Sequence, residues 1–184
     1  MDYSAEPFIG KKSAPVSIIE FGDYKCPDCK NFADNVFPQI EKELVDTGKA
    51  KVYFFNYPFI NVDSTRSAKF AEAVYHELGN KTFWKFHELL YKKQPEDKAA
   101  EKTDLYDEKF LTQTLKEAAP NADANKVVSY FRTNKSEAAY KKDMDYATKF
   151  GVTGTPTIIV NGKPFTGQTM DDLKKMVSQE TKGK

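Results

Sequence analysis

A chain of 184 residues with 40% hydrophobic and 14% aromatic content can fill one core with a subsidiary lobe, but hardly two independent domains. Its 28 basic and 27 acidic residues are interspersed and nearly cancel, which leaves no electrostatic footprint for nucleic acid. No apolar run approaches the roughly 20 residues of a membrane span.

The start, Met1-Asp2-Tyr3-Ser4-Ala5-Glu6, is neither a signal peptide nor an amphipathic transit peptide, and taken literally it keeps the chain in the cytosol. A mature exported protein whose leader or anchor has been removed also begins this way. Residues 1–15 are polar, close with Ser13-Ala14-Pro15 and read as an extended arm. Val16 to Phe21, β-branched at Val16, Ile18 and Ile19, predicts a strand. Glu20 is the odd residue in it. Facing inward beneath a thiol, its carboxyl could exchange a proton with that thiol or raise its pKa; facing outward, it is an ordinary solvated side chain.

The strand runs into Phe21-Gly22-Asp23-Tyr24-Lys25-Cys26-Pro27-Asp28-Cys29, which holds the only two cysteines of the chain. An amphipathic helix follows, with Phe32, Ala33, Val36, Phe37, Ile40 and Leu44 on its apolar side, running from Cys26 to about Val45 with a kink expected at Pro38. Cys29 shares the helical phase of Phe32, Val36 and Ile40 and is expected on the buried stripe; Cys26 is expected at the helix mouth beside solvent. Unpaired amides and the helix dipole favour a thiolate there, so Cys26 is the expected nucleophile. Pro27 suits the first helical turn. One turn separates the sulfurs, close enough for a reversible disulfide. Asp28 sits where a carboxylate would oppose the Cys26 thiolate, although an acid in the first turn is also simply a good helix starter. Zinc would need three or four ligands, and the only other nitrogen or sulfur donors of that kind are His76 and His87, so no metal site is expected. Two cysteines in one motif suit an oxidising compartment without proving one.

Lys51 to Pro58 reads as a second, central strand, and the intervening helix makes a βαβ unit with parallel pairing. From Asp63 to Phe150 the pattern is helical. One helix carries Phe70, Ala71, Val74 and Leu78 and closes at Gly79-Asn80; the next carries Phe83, Phe86, His87 and Leu90, with His87 read as a buried, hydrogen-bonded residue. Lys92 to Asp104 reads as a solvated loop, and three further helices are expected near Asp107–Ala119, Asp123–Arg132 and Ser136–Phe150. Gly151-Val152-Thr153-Gly154-Thr155-Pro156 returns the chain to strand. Thr157–Val160 and Lys163–Thr166 flank the hairpin signal Asn161-Gly162, and Thr169 opens a last helix. Pro156 opens a strand after a glycine-flanked turn, where an exposed backbone edge beside Cys26 could pair with an extended substrate.

Three motifs in combination, Phe21-Gly22-Asp23-Tyr24-x-Cys26-Pro27-x-Cys29, Phe83-Trp84-x-Phe86-His87 and Gly151-Val152-x-Gly154-Thr155-Pro156-Thr157, resemble the DsbA family of thiol-disulfide oxidoreductases, nearest its Gram-positive extracytoplasmic, BdbD-like branch. The resemblance covers nearly the whole chain and implies an α/β thioredoxin fold with an inserted all-α helical domain. Residues 1–61 and 151–184 would form the thioredoxin-like domain, and residues 62–150 the insertion. It implies that Cys26 attacks and Cys29 resolves, that Gly154, Thr155 and a cis Pro156 lie beside the disulfide and bind substrate, and that Glu20 is the family's buried acid. Asp28 departs from the family's best-known member, which has His there to stabilise the thiolate, so strong oxidising power is not implied.

The expected activity is dithiol-disulfide exchange with protein substrates, serving oxidative folding of exported proteins. The redox-active Cys26–Cys29 pair takes the place of a cofactor, and a DsbB-type membrane quinone reductase is the implied reoxidising partner. A monomer that binds no nucleic acid and works outside the cytoplasm is expected, with a cytoplasmic location as the alternative. A reductase or disulfide isomerase of the same fold, or a non-catalytic peptide- or metal-binding module, are the rival readings.

Overall fold

The computed structural model describes residues 3–182. Its sheet has five strands in the order β1-β3-β2-β4-β5: β1 Phe8–Ile9, β2 Val16–Gly22, β3 Ala50–Asn56, β4 Thr157–Val160 and β5 Lys163–Pro164. β2 and β3 are parallel, with Ile18 opposite Val52 and Glu20 opposite Phe54; every other pairing is antiparallel. The arm expected over residues 1–15 supplies the edge strand β1, too short at two residues to show any alternation. Only Lys163 and Pro164 of the expected last strand pair, because the chain turns away into the loop before the final helix.

Both faces of β2 are buried. Val16 and Ile18 belong to one core with Phe54, Cys29, Phe83 and Leu173, whereas Ile19 and Phe21 belong to a second with Phe55, Tyr146 and Ala147. Strand alternation puts Glu20 and Gly22 on the first face, with Val16 and Ile18.

The helix after the cysteine motif is built of α1 (Pro27–Asn31) and α2 (Phe37–Ile40), joined and continued by π turns at Phe32–Val36 and Glu41–Val45. The kink expected at Pro38 takes the form of that first π turn. The Phe37 N–H bonds back to the Phe32 carbonyl, and Pro38, which has no N–H, falls at the start of a fresh α-helical turn where none is needed.

Between β3 and β4 run α3 (Val62–Lys92), α4 (Glu108–Ala118), α5 (Ala124–Arg132) and α6 (Glu137–Phe150). The two helices expected to meet at Gly79-Asn80 are one run, broken at Gly79, which stands at φ +76°. Lys92–Asp104 is not wholly irregular, since Lys98–Lys102 forms a 3₁₀ turn that packs on the cysteine loop. The final helix is α7 (Met170–Lys182). Among the described residues no helix is long and apolar enough to cross a membrane.

Candidate active site

Cys26 caps the N-terminus of α1 and Pro27 is its first residue. The turn that delivers Cys26 is braced by Asp23, whose backbone carbonyl accepts from the Cys26 N–H (3.0 Å). Its carboxylate accepts from the backbone N–H groups of Lys25 (2.9 Å), Phe59 (3.0 Å) and Ile60 (3.2 Å). One buried carboxylate therefore ties the loop after β2 to the loop after β3. Lys25 turns away from the sulfur: its ammonium bonds Asp63 at 2.9 Å and the carbonyls of Ala100 and Thr103 at 2.7 and 2.8 Å, fully buried.

The two thiols are free, and their environments differ. Cys29 is fully buried; Cys26 keeps 5% exposure. The expectation that Cys26 stands beside solvent is corrected by this burial. The segment before β4 closes over it, and the Cys26 thiol donates to the Thr155 carbonyl at 3.3 Å while accepting from the Cys29 N–H at 3.4 Å. The Cys26 pKa is lowered to about 6, first by hydrogen bonding from the Cys29 side chain. Burial opposes this, and the Thr155 side chain and the N–H groups of Cys29 and Asp28 reinforce it. The Thr155 hydroxyl is buried and has no hydrogen-bond partner in the dithiol state, so its proton is available when the sulfur ionises. The Cys29 thiol is pushed far above the usual range by burial first, then by Cys26 and Glu20.

Glu20 faces inward at 1% exposure, and its pKa is raised to about 8 by burial and secondarily by Cys26. Asp28 is exposed. Its backbone N–H is among the groups that lower the Cys26 pKa. The Thr155-Pro156 peptide is cis, and Gly154 lies at the turn before it, its carbonyl accepting from the Thr157 hydroxyl at 2.7 Å. Cys26, Cys29, Glu20, Pro27, Thr155 and Pro156 are thus brought to one end of the sheet. His87 is buried and bonds the Tyr24 hydroxyl at 3.0 Å, with its pKa lowered by burial to about 3.

A thioredoxin family model matches residues 3–179. The sequence is 35% identical over 180 residues to a probable disulfide bond formation protein D of Bacillus anthracis, covering 98% of this chain and 80% of the relative. It is 37% identical over 187 residues to disulfide bond formation protein D of Bacillus subtilis strain 168, covering 97% and 78%. The crystal structure of oxidised BdbD from Bacillus subtilis matches with a TM-score of 0.88 at 32% identity, over 99% of this chain and 96% of that one. The chain belongs to the DsbA family, on its BdbD-like branch. It is a protein disulfide oxidoreductase with a thioredoxin fold.

Beside the cysteines this oxidoreductase carries a groove of about 450 Å³ lined by Phe32, Val36, Pro156, Phe165, Met170 and Leu173 among others. Phe32 and Val36 were legible only as helix core; that they flank Pro156 is a matter of tertiary packing. Two other features of the site escaped the sequence. Lys25 reads as a surface lysine until its partner Asp63 is seen, and Asp23 reads as a turn residue until the Phe59 and Ile60 N–H groups are seen on its carboxylate. Among the described residues no group of three or more His, Cys, Asp or Glu side chains is arranged to hold a metal ion.

Proposed function

We propose that the enzyme donates the Cys26–Cys29 disulfide to reduced, exported protein substrates outside the cytoplasm and is reoxidised by a DsbB-type membrane quinone reductase. The observation that carries this reading is the asymmetry of the thiols: Cys26 held near pKa 6 at a helix N-terminus, Cys29 pushed far up beneath it. A low pKa makes Cys26 the better leaving group and stabilises the reduced enzyme, which is what an oxidant needs.

In the exchange, a substrate thiolate attacks Cys26 Sγ, the Cys26–Cys29 bond breaks, and the electron pair leaves on Cys29, which takes the proton of the Glu20 carboxyl. A second substrate thiolate then attacks the substrate sulfur of the mixed disulfide, and Cys26 departs as a thiolate. Pro27 and Asp28 shape the first helical turn. Gly154, Thr155 and Pro156 offer an extended peptide a backbone edge, and the neighbouring groove takes its apolar side chains. In this reading residues 1–61 and 151–184 are the thioredoxin-like domain that carries the chemistry, and 62–150 the helical domain that covers it.

The test is a redox titration of the purified protein against glutathione, paired with its oxidation of a reduced, unfolded substrate. A potential nearer about −120 mV than about −270 mV, with stoichiometric substrate oxidation, is expected. A value near the thioredoxin end would make the enzyme a reductase.

A further inference from the structure

Buried polar side-chain atoms are nearly always hydrogen-bonded, so those that are not call for a reason. Three of them surround the cysteine pair: Glu20 Oε1, Thr155 Oγ1 and the Tyr91 hydroxyl. Glu20 and Thr155 have roles above. Tyr91 does not.

Tyr91 comes from the last turn of α3 and is fully buried. Its ring lies 5.0 Å from that of Tyr24 and 5.0 Å from that of His87. Those two bond each other, Tyr24 hydroxyl to His87 Nδ1 at 3.0 Å. The Tyr91 hydroxyl passes beyond them to β2, where a Cβ on Gly22 would stand 2.8 Å from it and 2.6 Å from Phe54 Cε2. Gly22 is therefore a slot: the absent side chain lets the hydroxyl reach the strand. Glu20, two residues back, points from the same face. Across that face the neighbouring strands present Phe54 and Ile158, both apolar.

The other titratable groups facing this place are committed elsewhere. Asp23 accepts from three backbone N–H groups, and the Lys30 ammonium bonds Asp34 (3.1 Å) and the Tyr91 carbonyl (3.2 Å). Tyr24 and His87 satisfy each other, and Cys26 is engaged with Thr155 and the Cys29 N–H. Cys29 is the thiol to be served.

We propose that Tyr91 is a positioning residue whose hydroxyl, unpartnered in the dithiol state, turns to donate to the Glu20 carboxylate when that group ionises, and so sets how readily Glu20 exchanges a proton with Cys29. The proposal rests on the exchange chemistry above. When the Cys26–Cys29 bond breaks, Glu20 gives its proton to Cys29 Sγ, and Tyr91, keeping its own proton, hydrogen-bonds the carboxylate left behind. On reoxidation the carboxylate takes the Cys29 proton back as that sulfur attacks the partner-bound Cys26. Electrostatic coupling of Tyr91 to Cys29 and Glu20 agrees with this placement.

The experiment follows the Glu20 carboxyl by ¹³C NMR titration of the reduced protein, together with the pH profile of mixed-disulfide formation between the oxidised protein and a thiol peptide. Tyr91→Phe removes one oxygen and keeps the ring. It is expected to raise the proton affinity of Glu20 about tenfold and to move the pH profile the same way. Site-specific 3-fluorotyrosine at position 91, a stronger donor of nearly the same shape, is expected to move both in the opposite direction and decides the matter alone if Tyr91→Phe does not fold. An unmoved Glu20 titration in these variants overturns the proposal. Glu20→Gln separates the two readings: if it alters the pH profile while the Tyr91 variants do not, the exchange chemistry stands and the role of Tyr91 falls. If none of the three alters it, both fall.

Discussion

Cys26 Sγ stands 3.3 Å from the carbonyl oxygen of Thr155, a hydrogen bond between residues 129 positions apart. It joins the two halves of the site, the helix N-terminus after β2 and the turn before β4, which sit together because β2 and β4 are adjacent strands. The thiol donates in this contact, so ionisation of Cys26 removes the donor, and the Thr155 hydroxyl and the α1 amides become the partners of the sulfur. A substrate strand arriving at Thr155 then finds a carbonyl free to accept.

Reduced protein should lose iodoacetamide-reactive Cys26 thiolate with a midpoint near pH 6, while Cys29 stays unlabelled across the same range, read by mass spectrometry of the peptides. The depressed folded value gives the sign of the linkage. The stabilisation of the reduced fold is full above the unfolded thiol value of 9.0 and is lost as pH falls through about 6. At pH 7 it amounts to roughly 1 kcal/mol, and it raises the oxidising potential in proportion. Cys26→Ser should therefore show a flatter stability curve between those pH values than the reduced wild type.

Asp28→Asn should leave the Cys26 midpoint within about 0.3 pH unit, since an exposed carboxylate is screened by solvent. A drop of a full unit would mean that the carboxylate does oppose the thiolate.

The Lys25–Asp63 pair fastens the residue before the nucleophile to the start of α3, with Lys25 at 2% and Asp63 at 0% exposure. Asp63→Ala leaves a buried ammonium with two carbonyls and no counter-charge, and should cost roughly 3–5 kcal/mol in urea denaturation. Replacing both, Lys25→Met with Asp63→Leu, should restore most of that loss. A double variant as unstable as the single one would show that the loss comes from the backbone N–H groups of Leu105 and Tyr106, which also bond the Asp63 carboxylate at 2.8 and 3.2 Å, and not from the unpaired ammonium.

Much of this site was legible locally. Strand, turn and helix around Cys26 follow from β-branched residues, a proline at the first helical position and an apolar stripe of period 3.6, each confined to a few neighbouring positions. Glu20 was not legible, because both faces of β2 are buried and the period-two alternation that would have told inside from outside is absent. Where the Asp28 carboxylate points was not legible either, because a side chain's direction within the first helical turn depends on rotamer, not spacing. Lys25 and Tyr91 gave no signal at all: each acquires meaning only from a partner contributed by a distant part of the chain, Asp63 in one case and the bare Gly22 in the other.

Glu20 is the place where stability and chemistry oppose each other. Its carboxyl is raised from 4.5 to about 8, first by burial and then by Cys26. The folded value lies above the unfolded one, so the fold is unburdened below pH 4.5 and loses stability as pH rises towards 8, because only the unfolded chain releases the proton in that window. At pH 7 the loss is about 3 kcal/mol. Glu20→Gln removes the titration, and the variant should be more stable than wild type by about that amount at pH 7 and no more stable near pH 4, measured by urea denaturation of the reduced protein. Its exchange with a thiol peptide should at the same time slow by about 10- to 100-fold, since Cys29 must then leave without a proton donor. The window should also move to lower pH in the oxidised protein, where the Cys26 thiolate is gone and only burial still raises the Glu20 carboxyl. A variant that gains no stability at pH 7 would place the carboxylate in contact with water, and with that the proton donor beneath Cys29 would be lost from the mechanism.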